Sequence, residues 1–144
     1  MIICAGRNET FPFAQVMGVG LIESAINLTR LCLFNKPEYL LFIGSAGSYG
    51  NHQIFDIVES KRASNIELGF LTQSAYTPLD NVLESDNKFA RNDTIVNSSN
   101  YISTNEKLTK EFLDYGVGIE NMEFFSVLSV AKEFEIPVAG IFVV

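Results

Sequence analysis

The run Tyr39-Leu40-Leu41-Phe42-Ile43 is apolar throughout and is bounded by Pro37 and Gly44. A strand with apolar side chains on both pleats can turn neither face to water, so it needs cover above and below, as in an α/β sheet. Upstream, Leu21/Ile22, Ala25/Ile26, Leu28 and Leu31/Cys32 recur at the i, i+3, i+4 spacing of a helix with one buried stripe, and that helix ends near Asn35, before Pro37. Downstream, Asn105 to Tyr115 places Leu108, Phe112 and Tyr115 at helical spacing, with Gly116 positioned to stop it. From Asn121 a second helical pattern puts Phe124, Val127, Leu128, Ala131 and Phe134 on one face, and Pro137 lies just beyond. Shorter strand-like runs begin at Met1, Val16, Phe55, Thr94, Val117 and Ile136. The alternation predicts a single α/β domain over residues 1–144, with a mostly parallel or mixed central sheet flanked by helices. One sheet can hold all the strands. Residues 60–85 read as a strand and a long loop, and residues 85–93, the most polar stretch, as an exposed connection.

The length suits one core and leaves little room for two. Ten Lys and Arg against seventeen Asp and Glu give a net charge of −7, and no basic run interrupts that balance. Nucleic acid is therefore excluded as a partner. No window reaches the roughly 18 apolar residues of a membrane span. The N-terminal run Met1-Ile2-Ile3-Cys4-Ala5-Gly6 has no charged region before it and reads as a strand, not a leader, so the expected compartment is the cytoplasm. Cys4 and Cys32 lack CxxC spacing and His52 is the only histidine, which supports neither a disulfide framework nor a metal site. Two reduced, mostly buried thiols are expected, and no cofactor is implied.

Two glycine clusters carry the first hint of chemistry. Gly44-Ser45-Ala46-Gly47-Ser48-Tyr49-Gly50 follows the buried strand in the manner of a dinucleotide-binding fingerprint, but the chain runs on through His52-Gln53 into the strand-like Phe55-Asp56-Ile57-Val58. A Rossmann loop must open a helix whose N-terminus meets the pyrophosphate, so this context rejects it and leaves a glycine-rich turn. Gly18-Val19-Gly20 does precede a helix, where exposed N–H groups can approach an anion or simply form a tight turn.

In order, Gly18-Val19-Gly20 before a helix, Gly44-Ser45-Ala46-Gly47 after a strand, and Phe55-Asp56-Ile57-Val58 resemble three consecutive landmarks of the nucleoside phosphorylase and nucleosidase family. Asn97-Ser98-Ser99-Asn100-Tyr101-Ile102 resembles the loop whose aromatic residue stacks on the purine. Asn121-Met122-Glu123 resembles the Glu-Met-Glu ribose-binding motif, with Asn in place of its first acid. The similarity runs from about Val16 to Val144 and is greatest to bacterial nucleosidases acting on methylthioadenosine and adenosylhomocysteine, with purine nucleoside phosphorylases next. It implies cleavage of the N-glycosidic bond of a purine nucleoside in a homo-oligomer, with water or phosphate as co-substrate. Residue by residue, it implies that Glu123 accepts the ribose hydroxyls, Met122 packs on the sugar beside Asn121, Tyr101 stacks on the base and the Ile102 backbone reads its edge. Ser45, with the Gly20 backbone, would lie near the phosphate or attacking water, and Glu9 stands for an acid near the family's first strand.

The same resemblance marks departures. Phosphorylases place an Arg two residues before Gly44, where this sequence has Phe42, a side chain unable to pair with an anion. Hydrolysis is thus expected over phosphorolysis. The family's general-acid Asp and final helix follow the strand equivalent to Ile136–Val144. The expectation is that a partner subunit or a continuation of the chain covers that strand, and the alternative to an enzyme is an inactive nucleoside-binding or structural homologue.

Overall fold

The computed structural model describes residues 1–144, the side chain of Leu108 excepted. Ten strands and four helices alternate along the chain, beginning with β1 (Ile2–Cys4), β2 (Gln15–Val16), α1 (Gly20–Asn35), β3 (Leu40–Ser45) and β4 (Gly47–Ser48). There follow β5 (Ile57–Ser60), β6 (Arg62–Ser64), α2 (Leu68–Leu71), β7 (Val82–Glu84), β8 (Ile95–Asn97), α3 (Glu106–Asp114), β9 (Val117–Glu120), α4 (Phe124–Glu133) and β10 (Val138–Val143).

The strands are divided between two mixed five-stranded sheets, ordered β2-β1-β3-β10-β5 and β4-β9-β8-β6-β7, where the sequence suggested that one could hold them all. Two segments join the sheets. The chain passes from β3 to β4 through Ala46 and from β5 to β6 through Lys61, each time leaving one sheet and entering the other almost without a loop. Gly44 and Gly47 therefore keep the backbone extended, and Gly50, with φ +126°, lies in the bend that follows. The long β3 is central and parallel to β1 and β10, as its two apolar faces require. Phe42, Phe124 and Phe142 meet there, with ring centroids 5.1–5.9 Å apart. Aromatic contacts of this kind add about 0.5–1.5 kcal/mol to the burial of their area.

Helix α1 buries Leu28 and Cys32 of the expected stripe, but the rest of its buried line is different. Gly20, Ser24, Leu28 and Cys32 face inward, while Ile22 and Ile26 are exposed. At about 100° per residue, position 22 points away from the line through 20 and 24, and the small side chains on that line let α1 approach α4 closely. The Ser126 hydroxyl on α4 donates to the Leu21 carbonyl at 2.7 Å. On α3 Phe112 is buried but Tyr115 is largely exposed, edge-on to Phe70; the expected place of Leu108 lies outside the described residues. Gly116, with φ +91°, ends α3 in the left-handed region that a side chain would resist. Strand β5 starts two residues later than expected, because Phe55 has φ +73° and belongs to a turn.

The polar stretch 85–93 is not simply an exposed connection. Ser85 and Asn87 are buried: the Ser85 hydroxyl accepts from the Val138 N–H at 2.8 Å, and the Asn87 amide donates to the Tyr39 hydroxyl and the Val138 carbonyl. These contacts satisfy the backbone at the start of β10, a demand that hydropathy does not reveal.

Among the described residues no helix is long and apolar enough to cross a membrane. Cys4 and Cys32 are free and buried, and burial pushes both thiols up from their ordinary range. Both should resist iodoacetamide at pH 8 in the native protein and become fully alkylated in urea, as read by mass spectrometry. Rapid native alkylation would contradict their burial.

Candidate active site

The carboxyl ends of parallel strands are where open α/β sheets present a ligand crevice. In this chain the turn after β1, the end of β3, the loop after β8 and the turn after β9 converge on a cavity of about 310 Å³. Of the residues that the resemblance singled out, Glu9, Ser45, Tyr101, Ile102, Asn121, Met122 and Glu123 all line it. Gly20 does not line it but reaches it through a hydrogen bond.

Glu123 lies in the turn between β9 and α4 and is nearly fully buried. Its Oε1 accepts the Gly20 N–H at the start of α1 at 2.8 Å. Burial pushes this carboxyl above the ordinary range and the Glu9 carboxylate adds to the rise, against the Gly20 N–H and Asn121, which favour the anion. Gly20 has φ +81°, and a Cβ there would meet Asn100 Oδ1 at 2.8 Å. That oxygen accepts the Leu21 N–H at 3.0 Å, and Glu23 accepts the Val19 N–H at 2.9 Å. The first donors of α1 are thus taken by the protein's own oxygens.

Glu9 is set by a four-residue turn in which its N–H donates to the Gly6 carbonyl at 3.0 Å and Arg7 has φ +56°. Its Oε1 accepts from both the hydroxyl and the N–H of Ser45, the last residue of β3. Its Oε2 is buried and has no hydrogen-bond partner among the described residues.

Asn121 orients the other groups. Its Oδ1 accepts the N–H groups of Glu123 and Phe124 at 3.0 and 3.1 Å, and its Nδ2 donates to the Ser45 carbonyl at 3.0 Å. It caps the first turn of α4 and ties Glu123 to the end of β3, a task an acid would perform only in part, having no proton to give Ser45. Asn121→Ala should destabilise the fold by about 1–2 kcal/mol, as N-cap losses do, measured by urea unfolding. No change in the midpoint would show that the cap is idle.

Tyr101 and Ile102 border the cavity from an exposed loop, and Tyr101 is 82% exposed. Phe42, which stands where an anion-binding Arg was sought, is wholly inside the core. Sequence reasoning missed Asn100, which fastens the 97–104 loop to α1, and Glu120, a cavity-lining carboxylate at the end of β9. The only available signal for Glu120 was a charge ending the apolar run Val117–Ile119. Three carboxylates thus line the cavity against one cation, Arg7.

The overall fold matches known structures. The chain has the nucleoside phosphorylase and nucleosidase fold. It superposes on a mutant of the Helicobacter pylori methylthioadenosine nucleosidase holding 5′-methylthioadenosine, with TM-score 0.78, 15% identity, and coverage of 99% of this chain and 82% of that one. A mutant of the futalosine hydrolase of the same organism gives TM-score 0.78 and 15% identity over 99% and 87% of the two chains. A Weissella paramesenteroides structure assigned as a methylthioadenosine nucleosidase gives TM-score 0.70 and 18% identity over 90% of this chain, which spans 64% of that protein's length. No protein-family model and no curated sequence matches the chain. The likeness to the nucleosidase fold is therefore one of architecture.

Proposed function

We propose that the cavity binds a purine nucleoside and hydrolyses its N-glycosidic bond. The observation that carries this reading is the pair of carboxylates, Glu123 and Glu9, held in different ways on one cavity. Cleaving the bond passes through a cation-like sugar, which carboxylates stabilise and a phosphate-binding cluster of cations would not. The superposing structures, a methylthioadenosine nucleosidase and a futalosine hydrolase, support hydrolysis.

In this reading the carboxylate of Glu123 accepts the ribose hydroxyls, Met122 packs on the sugar and Tyr101 stacks on the base. Glu9, aimed by Ser45, takes a proton from water as its oxygen bonds to the anomeric carbon. The C–N bonding pair leaves with the purine, which takes a proton from solvent water, and Glu9 returns its own proton to solvent. The chain works in a homo-oligomer, and phosphate plays no part. The test is release of free base from adenosine, inosine, guanosine and 5′-methylthioadenosine with and without phosphate, followed by chromatography. Phosphate-independent release is expected. Strict phosphate dependence would overturn hydrolysis, and nucleoside binding without release would mark a binding protein instead.

A further inference from the structure

Glu120 lies where the main cavity meets a second one of about 220 Å³, and the two share Ser99, Tyr101, Ile102 and Glu120. Its carboxylate is tightly placed. Oε2 accepts the Tyr49 hydroxyl and Oε1 the Ser103 N–H, both at 2.9 Å, and a Cβ on Gly47 would meet its Cγ at 3.3 Å. The Ser103 contact puts Oε1 on the strap that carries Tyr101 and Ile102. Tyr49 is buried, and burial followed by the Glu120 charge pushes its hydroxyl up, so it remains a proton donor. Neither partner is a cation, and no ion pair to Glu120 occurs among the described residues. Each oxygen holds one donor, while an ionised carboxylate offers about four lone-pair sites. Glu67, lining the second cavity, adds further negative charge to the same end.

We infer that Glu120 reads the base, and that the site selects a purine whose edge presents adjacent N–H donors, a 2-amino-6-oxopurine nucleoside. This rests on the nucleoside-binding reading above. A fixed, acceptor-only carboxylate matches two parallel donors, as in its bidentate pairs with guanidinium. The N1–H and N2–H of a 2-amino-6-oxopurine supply such a pair, and a 6-oxopurine supplies N1–H alone. A 6-aminopurine puts the N1 lone pair beside its one donor group, where it faces the carboxylate. The expected order of affinity is guanosine, then inosine, then adenosine.

The experiment is calorimetry of these three nucleosides with the full chain, its Glu120→Gln variant and its Glu120→Asp variant, each checked by melting. Wild type should bind guanosine at least about tenfold tighter than adenosine, the effect of one lost charge-assisted bond. Glu120→Gln should erase or reverse that ratio, because its amide offers one acceptor and one donor. Glu120→Asp, which keeps the charge but draws it back, should weaken guanosine while preserving the order, and it serves as the probe if the Gln variant does not fold. Equal or tighter adenosine binding by wild type, or a ratio unmoved by either substitution, overturns the role of Glu120 and leaves nucleoside binding standing. Failure of wild type to bind any of the three removes the nucleoside site itself, and this proposal with it.

Discussion

Glu123→Gln should bind nucleosides about 10- to 100-fold more weakly than wild type while melting at a higher temperature near neutral pH. Both effects come from one charge. The ribose hydroxyls donate to an anion in wild type, and hydrogen bonds to charged groups contribute about 1.5–3 kcal/mol against about 1 for neutral ones. The same anion is buried, and that burial, with Glu9 nearby, raises its folded pKa above the ordinary carboxylate range. A raised carboxyl favours the fold below its unfolded pKa and loses that contribution as pH rises through its folded pKa. Glutamine keeps the oxygen that the Gly20 N–H requires and removes the charge that burial penalises. The melting gain should therefore be present at pH 8 and vanish as pH falls through the carboxylate range, while wild-type affinity should fall across the same interval as Glu123 takes up a proton. Calorimetric melts and nucleoside titrations over pH check both trends. A variant that is destabilised at pH 8, or that binds like wild type, would show that the charge of Glu123 is neither strained nor used.

How far the sequence foretold this site depended on what kind of residue was involved. Strand β3 was legible because five consecutive apolar residues between Pro37 and Gly44 admit few alternatives, and the α4 face because its apolar spacing is regular. The α1 face was read only in part, through Leu28 and Cys32, since Gly20 and Ser24, which lie close to α4, carry no hydropathy signal, whereas the exposed Ile22 and Ile26 do. Two sheets could not be distinguished from one, because Ala46 and Lys61 are single residues at which strands change partners without a break. The candidate site residues were singled out by motif order, and the structure brings Glu9, Ser45 and Asn121–Glu123 to one cavity across more than a hundred residues of chain. What no motif could show was occupancy. The Gly20 N–H, expected near an anion from outside, is held by the protein's own Glu123, and Asn121 is spent on capping α4. Such roles depend on which partner arrives first in space, and spacing along the chain is silent on that.

Glu9→Gln should lower the rate of base release by about 10²–10⁴-fold, the range of a positioned general base, with nucleoside affinity little changed. The separation follows from how Glu9 is held. Its Oε1 takes both Ser45 donors, so a glutamine oxygen can keep the side chain in place, but an amide cannot receive a proton from water. Ser45→Ala tests the positioning separately, for it leaves the base intact and removes one of the two donors that aim it. Its loss should be smaller and should fall on kcat more than on KM, because ribose contacts run through Glu123. If Ser45 were itself the nucleophile, the order would invert: Ser45→Ala would abolish turnover, and a covalent glycosyl adduct on the serine would be detectable by mass spectrometry. If Glu9 only braced the end of β3, Glu9→Gln would lower the melting temperature and leave the rate per folded molecule unchanged. The pair of variants therefore assigns the attacking oxygen to water or to the protein.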